Sequence, residues 1–397
     1  MIINIEQILA NAMEIKEELI SYRRELHSEP ELSFKEYKTS SYIQNKLNQF
    51  NIPFKVICDT GVIGLIGSGD NCVAIRADMD ALPILEETNL PFSSKTSGIM
   101  HACGHDFHTT MLLGAAKILK SFENELPGSV KLIFQPGEEK LPGGAKLLID
   151  NGVLDNPAPK AIFGQHVFPE EETGTISMAP GAIMASADEI YINLKGKSSH
   201  AAQPHLGGDA IVAASQIILA LQTLLTKFKD PTKSAVISIT SIHGGTATNT
   251  FPDEVRLMGT MRTFDNDIRE QLNKKIHETI EALSKIYNVT FEINILKGYP
   301  PLINEESAWI AAKLSGEKIF GVENVKNFIP KMWAEDFAYY GQKIPACFWF
   351  LGVKPPNTTP MAGLHNSKFD PDENSLPYGA AMLAWTAASA LMENENK

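Results

Sequence analysis

Short runs rich in valine and isoleucine alternate with helical patterns along this chain, and this alternation constrains its fold more than any other feature. The first part of the pattern predicts four strands and two helices, at residues 62–66, 73–77, 130–134 and 161–163 and at residues 109–121 and 145–151. Helical periodicity also covers residues 14–27 and 34–50. Strands interleaved with helices are typical of an α/β fold with a mostly parallel sheet.

The middle of the chain has a different order of elements. The pattern predicts strand, helix, two strands, helix and strand, at residues 189–194, 209–226, 235–242, 255–264, 268–287 and 290–295. That β-α-β-β-α-β order is the ferredoxin-like unit. The α/β pattern resumes with predicted elements at residues 307–320, 346–353 and 378–392.

A chain of 397 residues is longer than one hydrophobic core usually serves. We therefore predict two domains, with the middle unit inserted into a larger one. Residues 1–182 and 298–397 form the discontinuous catalytic domain in this prediction, and residues 183–297 form the inserted domain.

Composition excludes several classes of protein. A net charge of −12 argues against a nucleic-acid partner, because phosphate binding needs a basic surface. Four cysteines in a chain this long do not indicate a disulfide framework. The first residues lack the pattern of a signal peptide, and we expect no segment that spans a membrane. The prediction is a cytoplasmic protein without a membrane or nucleic-acid partner.

Chemically active side chains concentrate in five short segments that follow strands or open helices, at residues 76–80, 101–106, 135–139, 164–166 and 364–366. In open α/β sheets, ligands bind outside the carboxyl ends of the strands. Thiolate, imidazole and carboxylate groups are the ligands of borderline divalent ions such as zinc. The segments offer about the six donors that two ions need, and a hydroxide between the ions would be a nucleophile at neutral pH.

Two pairs of acidic residues stand in these segments. Glu138 and Glu139 are adjacent, so in extended backbone they point in opposite senses, and one can bind metal while the other acts as general base. Asp78 and Asp80 lie two positions apart and can orient a metal or its ligands. Paired glutamates usually form a solvated face, and Asp-x-Asp is common at strand ends. The coincidence of five segments in one topology favours a site.

Ordered motifs cover essentially the whole chain, at residues 23–32, 76–83, 100–108, 134–139, 143–145, 164–167, 199–205, 244–249, 335–339, 365 and 369–370. Together they resemble the M20 metallopeptidase family, in its branch of N-acyl-amino-acid amidohydrolases. So many motifs in one order make the resemblance specific.

The resemblance implies two divalent metal ions per subunit, of Zn, Mn, Ni or Co. The residues that match the family's metal ligands are Cys103, His105, Glu139, His166 and His365, with Cys103 shared between the ions. Glu138 matches the general base, and Asp80 matches an acidic residue that supports the catalytic centre. Asp78 stands where related branches carry a histidine ligand.

The inserted domain is similar to the family's lid, which also forms the dimer contact, and the resemblance implies a homodimer or a tetramer. His200 would reach the active site of the partner subunit and stabilise the oxyanion. Asn249 and Arg262 match residues that bind the substrate carboxylate, Arg262 through a bidentate fork. A surface ion pair is an alternative role for Arg262.

The sequence therefore predicts a metal-dependent amidohydrolase that acts on N-acyl amino acids. The chain departs from the family pattern at Lys140-Leu141-Pro142, at Ser198 and at Trp333-Ala334. A bulky Trp333 near the pocket favours a small acyl group such as acetyl.

Three alternatives stay open at this point. One is a dipeptidase or aminopeptidase with the same dinuclear centre, and another is a thiol enzyme with Cys103 as nucleophile. The third is a non-catalytic binding or scaffold protein, against which the complete set of ligand and base residues argues.

Overall fold

Two β-sheets of unequal size contain most of the strands in the computed structural model, which describes residues 3–358 and 361–395. Contacts divide the chain into two units. The first comprises Met1–Gly181, Ile303–Ile329 and Asp336–Lys397, and the second comprises Ala182–Leu302 and Pro330–Glu335. The catalytic role of the first unit and the lid role of the second stay predictions.

The strands in the described residues are β1 (Phe54–Ile57), β2 (Gly61–Gly67), β3 (Cys72–Asp78), β4 (Ser129–Gln135), β5 (Ile162–Glu172), β6 (Ile176–Met178), β7 (Gly181–Met184), β8 (Asp188–Lys195), β9 (Ala235–Gly244), β10 (Glu254–Thr263), β11 (Thr290–Lys297), β12 (Leu302–Asn304), β13 (Val325–Asn327) and β14 (Ala346–Lys354). The α-helices in the same residues are α1 (Ile5–Glu14), α2 (Lys16–Ser28), α3 (Tyr37–Gln49), α4 (His105–Ser121), α5 (Gly144–Asp150), α6 (Ala210–Lys227), α7 (Asn266–Ile286), α8 (Glu306–Phe320), α9 (Ala338–Gly341) and α10 (Leu376–Glu395).

The sheet of the first unit has the strand order β1-β2-β4-β3-β5-β14-β6-β13. Its four middle strands, β4, β3, β5 and β14, run parallel to their neighbours in that group. The strands β3 and β4 are buried along their whole length, and α4 and α10 pack against β3. Strands covered by helices read as continuous apolar runs, which is why these runs stood out in the sequence. The predicted α/β class with a mostly parallel central sheet is confirmed.

Strand register brings the polar strand ends level with one another. Asp78 at the end of β3 pairs with Gln135 at the end of β4. On the other side of β3, Arg76 pairs with Gly164 of β5, so His166, two residues further on, lies level with Asp78. Because parallel strands end at the same edge of the sheet, three of the five polar segments meet there.

Two helices begin three or four residues away from the predicted positions. The helix predicted from residue 34 begins at Tyr37, because Phe34 has a φ of 64° and a left-handed residue cannot continue a right-handed helix. The helix predicted from residue 109 begins at His105, directly after Gly104 with a φ of 84°. His105 therefore lies in the first turn of α4 and not in a loop.

The second unit contains β8, α6, β9, β10, α7 and β11 in chain order, which is the predicted order of elements. Its four strands form a sheet of order β11-β8-β10-β9, and each neighbouring pair is antiparallel. Buried and exposed residues alternate along β8. The buried face carries Ile190 and Ile192, which join Ile217 of α6 and Ile276 of α7 in one core.

The helix α6 has more apolar surface than its own unit covers. Among the described helices it is the one that is long and apolar enough to cross a membrane, by length and composition only. Ile217 and Leu221 are buried in the core of the second unit, whereas Ile211 and Leu219 are 42% and 62% exposed. A helix that is apolar on two faces needs a second apolar surface beside it.

Candidate metal centre

A thiol and an imidazole from different elements face each other at the carboxyl edge of the first sheet. The Sγ atom of Cys103 lies 3.4 Å from Nε2 of His166 on β5. The other ring nitrogen of His166, Nδ1, donates to the carbonyl oxygen of Val167 at 2.7 Å, so Nε2 keeps its lone pair. Burial and the neighbouring His108 lower the pKa of His166 well below its ordinary value. The ring is therefore neutral, as a metal ligand must be.

One ring nitrogen of His105 lies within hydrogen-bond distance of a carboxylate, whereas the other has carboxylates of Asp78 and Glu139 only at 3.8 and 3.9 Å. Its Nδ1 lies 3.2 Å from Oδ1 of Asp80, while its Nε2 is buried and makes no hydrogen bond within the described residues. Burial by itself would lower the pKa of His105, but Asp78, Asp80 and Glu139 outweigh it and raise the pKa to about 10. A histidine that gives its second N–H to a carboxylate is oriented for metal binding.

Glu139 and His365 approach Cys103 from two further segments. The Nε2 atom of His365 lies 3.3 Å from Oε1 of Glu139. The backbone N–H of His365 donates to the carbonyl oxygen of Ala102 at 2.8 Å, which ties the loop of His365 to the loop of Cys103. His365 adopts a φ of 60°, in the left-handed region that few residues other than glycine occupy. This strained position holds an imidazole beside the thiol.

These side chains form two groups that share one residue. The possible ligand atoms of Cys103, His105 and His166 lie within 4.8 Å of one another, and so do those of Cys103, Glu139 and His365. The buried Oε1 of Glu139, like Nε2 of His105, makes no hydrogen bond within the part of the chain that the structure describes. Buried polar atoms that make no hydrogen bond are costly unless an ion or water fills the space between them. The residue types fit borderline divalent ions, and Cys103 is the residue common to the two groups.

His108 and Asp78 also lie beside His105, but their polar atoms are already engaged. Nδ1 of His108 donates to Oδ1 of Asp78 at 2.6 Å, and its Nε2 accepts from the backbone N–H of Val167 at 2.9 Å. The other oxygen of Asp78 accepts from Arg76 at 2.6 Å. With no lone pair left on the ring, His108 holds its neighbours in place and does not bind an ion.

Asp80 fixes the pair of glutamates through their backbone. The N–H of Glu138 donates to Oδ1 of Asp80 at 3.1 Å, and the N–H of Glu139 donates to Oδ2 at 3.0 Å. Glu139 then turns its carboxylate toward His365. Glu138 is 7% exposed, and a carboxylate oxygen of it lies within 4.8 Å of the possible ligand atoms of His105 and Glu139. Glu138 therefore stands beside both groups of ligands.

A further buried carboxylate, Asp336, received no role in the sequence prediction. It accepts from Nη2 of Arg76 at 2.7 Å, from Nε2 of Gln135 at 2.8 Å and from the backbone N–H of Ala145 at 2.9 Å. Burial raises the pKa of Asp336 to about 6, although Arg76 opposes the shift. These bonds join the ends of β3 and β4. The one signal in the sequence was the Glu335-Asp336 motif, which does not identify partners so far away in the chain.

The remaining predicted site residues, His200, Asn249 and Arg262, belong to the second unit. Nδ1 of His200 accepts from the N–H of Ala202 at 3.1 Å, and the carbonyl oxygen of Asn249 accepts from the N–H of Ala201 at 2.9 Å, so the two segments are neighbours. Arg262 lies near the far end of β10. Arg262 lies eight positions along this strand from Glu254, a distance of about 26 Å in extended backbone. Within one chain, Arg262 is therefore remote from His200 and Asn249.

Metal binding should release protons. In the metal-free protein, burial together with Glu139 and Glu138 raises the pKa of the Cys103 thiol well above its ordinary value, and His105 has a pKa of about 10. Both groups carry a proton at neutral pH that a metal ion must displace. We expect about two protons released per subunit at pH 7.5, and an affinity that rises with pH. Calorimetry in buffers of different ionisation enthalpy measures this number, and release of less than one proton would contradict it.

Comparisons with known proteins identify the family of this chain. Residues 74–389 match the sequence pattern of Peptidase family M20/M25/M40. The chain is 38% identical to the IAA-amino acid hydrolase ILR1-like 5 of Arabidopsis thaliana, over 95% of this chain and 88% of that protein. It is also 38% identical to an N-acetyl-L-cysteine deacetylase of Bacillus subtilis strain 168, over 97% of this chain and 91% of that protein.

One solved structure is similar over almost the full length. The YXEP protein of Bacillus subtilis, described as a dinuclear metal-binding peptidase from the M20 family, superposes with a TM-score of 0.84. The two chains are 36% identical, and the match covers 96% of this chain and 99% of the other. The family pattern, the similar relatives and the fold agree, and the chain belongs to peptidase family M20/M25/M40.

Proposed function

We propose that this chain hydrolyses the amide bond of N-acyl amino acids, and of N-acetyl amino acids in particular. The observation that carries the proposal is the set of five ligand residues around Cys103 with the carboxylate of Glu138 beside them. One relative is named an IAA-amino acid hydrolase and another an N-acetyl-L-cysteine deacetylase. Removal of an acetyl group from the nitrogen of an amino acid is amide hydrolysis.

The residues proposed to hold two divalent ions, of Zn, Mn, Ni or Co, are Cys103, His105, Glu139, His166 and His365. Such ions, when bound, polarise the acyl carbonyl and lower the pKa of water. The protein orients the imidazole rings of the two buried histidines. Asp80 holds the ring of His105, and the carbonyl oxygen of Val167 holds the ring of His166.

Glu138 is the proposed general base. Amide hydrolysis needs a group that takes a proton from water and then delivers it to the leaving amine. Glu138 is buried, and its backbone N–H is fixed by Asp80 at 3.1 Å. A carboxylate held in one place beside the ligand residues can serve both proton transfers without a large movement.

A thiol mechanism with Cys103 as the nucleophile is disfavoured. Reactive cysteines have a lowered pKa, because a neighbouring positive charge or helix terminus stabilises the thiolate. Burial and the carboxylates of Glu139 and Glu138 instead raise the pKa of Cys103 well above its ordinary value. Without a metal ion the thiol stays protonated and is a poor nucleophile.

We propose that the second unit is a ferredoxin-like lid and dimerisation domain. His200 and Asn249 lie at one end of its sheet and Arg262 near the other, and an N-acyl amino acid is too short to reach both ends. In the proposed dimer, one active site takes His200 and Asn249 from the partner subunit and Arg262 from its own chain. His200 would stabilise the oxyanion, while Asn249 and Arg262 bind the substrate carboxylate.

The surface for that dimer contact is proposed on α6 and β9. Ile211 and Leu219 of α6 are exposed, and so is Ile242 on β9, a strand at the edge of its sheet. An edge strand has unpaired backbone groups, and an exposed apolar helix face is unfavourable in water. A second copy of the same unit covers both features.

Replacement of Glu138 tests the base. We expect Glu138→Gln to lower kcat on N-acetyl amino acids by at least about 100-fold, because the amide side chain cannot accept the proton from water. The metal content should stay at the wild-type value, since Glu138 is not a proposed ligand. Elemental analysis measures the metal, with Glu139→Gln as the control that should lose metal as well as activity. Retained activity in Glu138→Gln would refute the assignment.

Mixing inactive subunits tests whether His200 acts in the partner's site. Glu138→Gln and His200→Ala dimers should each be inactive, whereas a randomly exchanged mixture should regain about a quarter of wild-type activity. About half of the dimers are then hybrids, and each hybrid has one site in which both residues are intact. A mixture of His200→Ala with Asn249→Ala is the control and should stay inactive. In the proposed dimer each site takes both residues from the same partner subunit, so every site lacks either His200 or Asn249. No recovery in the first mixture would show that His200 serves its own subunit.

Substrate size tests the role of Trp333. Its side chain is 38% exposed, with Nζ of Lys331 5.4 Å from the ring centre. We expect kcat/KM to be at least about tenfold higher for N-acetyl than for N-benzoyl amino acids, and Trp333→Gly to reduce that ratio. A panel of dipeptides in the same assay, with each of the four metals, separates the amidohydrolase from a dipeptidase. Equal rates on acetyl and benzoyl substrates would contradict the prediction for Trp333.

A further inference from the structure

The backbone N–H groups of three consecutive residues, Gly137, Glu138 and Glu139, each donate to a buried carboxylate. The N–H groups of Glu138 and Glu139 donate to Asp80, as described above. The N–H of Gly137 donates to Oε1 of Glu36 at 2.9 Å. Glu36 is a residue to which neither the sequence motifs nor the proposed mechanism gives a role. Two carboxylates from different parts of the chain therefore fix the course of this loop.

Glu36 is completely buried, and both of its oxygens have protein partners. Oε1 also accepts from the backbone N–H of Phe34 at 2.8 Å, and Oε2 accepts from the hydroxyl of Thr60 at 2.9 Å. Burial and the neighbouring Asp80 raise the pKa of Glu36 to about 7. A carboxylate so deep in the protein, with no cation as partner among the described residues, is costly to keep. Its hydrogen bonds go to backbone and hydroxyl groups that it holds in place.

The turn at residues 33–36 also packs against Gly137 through the side chain of Phe34. A Cβ atom on Gly137 would lie 2.2 Å from Cε1 of Phe34, so the phenyl ring rests directly on the glycine. Phe34 has a φ of 64° and Gly137 a φ of 62°, and both are left-handed. Glu36 bridges the N–H groups of these two residues with a single oxygen atom. Ser33 in the same turn donates to Oδ2 of Asp80 at 2.6 Å, so residues 33–36 support both carboxylates that hold the loop.

We propose that Glu36 is a positioning residue for amide hydrolysis, which sets the orientation of Glu138 and Glu139 through its bond to Gly137. This role rests on the proposed function, because Glu138 must face the reacting water for its position to matter. Glu36 touches neither substrate nor metal. Its effect is on the backbone from which the base and one ligand project, where a shift of about 1 Å can cost about 100-fold in rate.

The test compares replacements that differ in one acceptor atom. Glu36→Met keeps the length of the side chain and removes both acceptors, so the N–H of Gly137 loses its partner. We expect kcat to fall by at least about tenfold with KM within about twofold of wild type. Hydrogen exchange of the peptide with residues 135–141 should be faster by at least about tenfold. Glu36→Gln keeps one oxygen for Gly137 and Phe34, and should restore most of both properties.

Two further variants complete the experiment. Glu31→Ala removes a carboxylate from the same N-terminal segment, whose oxygen accepts from the N–H and hydroxyl of Thr39 at the start of α3. It is the matched control and should leave kcat and the exchange of residues 135–141 unchanged. Should Glu36→Met not fold, Glu36→Asp keeps the charge but withdraws the carboxylate by about 1.5 Å, and the same losses are expected.

The outcomes separate this role from the proposed function. Wild-type kcat and wild-type exchange in Glu36→Met or Glu36→Asp would overturn the role of Glu36, and so would an equal loss of kcat in Glu31→Ala. A wild-type protein inactive on every N-acyl amino acid and dipeptide would refute the proposed function instead. In that case, unchanged exchange in the Glu36 variants would also refute the contact between Glu36 and the loop, whereas faster exchange would support it.

Discussion

The carboxylate of Asp80 is the point at which the parts of the candidate site are joined. Its oxygens lie within hydrogen-bond distance of a ring nitrogen of His105, of the backbone N–H groups of Glu138 and Glu139, and of the hydroxyl of Ser33. These groups come from the first turn of α4, from the loop after β4 and from the turn before α3. A buried carboxylate is tolerated only when such donors surround it. Because the buried carboxylate of Asp80 needs all of these donors, it holds the three elements that supply them in one arrangement.

Electrostatics explain why the centre suits divalent cations. Arg76 is buried between Asp78 and Asp336 and compensates part of their charge. Glu138 and Glu139 add further acidic groups near Cys103, and Asp80 adds one beside His105. Burial and the carboxylates of Glu139 and Glu138 raise the pKa of the Cys103 thiol. Burial alone would lower the pKa of the His105 imidazole, but the surrounding carboxylates outweigh it and raise that pKa. Protons neutralise the centre in the absence of metal, and a divalent ion does so more effectively because it brings more charge to the same place.

The sequence predicted residues better where their chemistry is unusual than where it is ordinary. The limits of β3 and β4 lie within one residue of those predicted, since buried parallel strands have continuous apolar runs. The five polar segments stood out because thiol, imidazole and carboxylate groups occurred together at strand ends, and the resemblance to the M20 family then singled out the five ligand candidates within them. Glu36 and Asp336 did not stand out, because an acidic residue is common and its role depends on partners far away in the sequence. Glu36 is 101 positions from Gly137, for example. The left-handed turn at Phe34 depends on those same contacts, which is why the predicted start of α3 was wrong.

The position of β14 in the first sheet determines when that sheet can be completed during synthesis of the chain. Residues 346–354 form this strand, yet it lies between β5 and β6, which the ribosome makes about 170 residues earlier. The second unit consists mainly of one continuous stretch of chain and can complete its sheet first. The sheet of the first unit instead stays incomplete between β5 and β6 until β14 has been made. His365 follows β14, so the candidate metal centre gains this ligand candidate only after the continuous part of the second unit and β14 have been made.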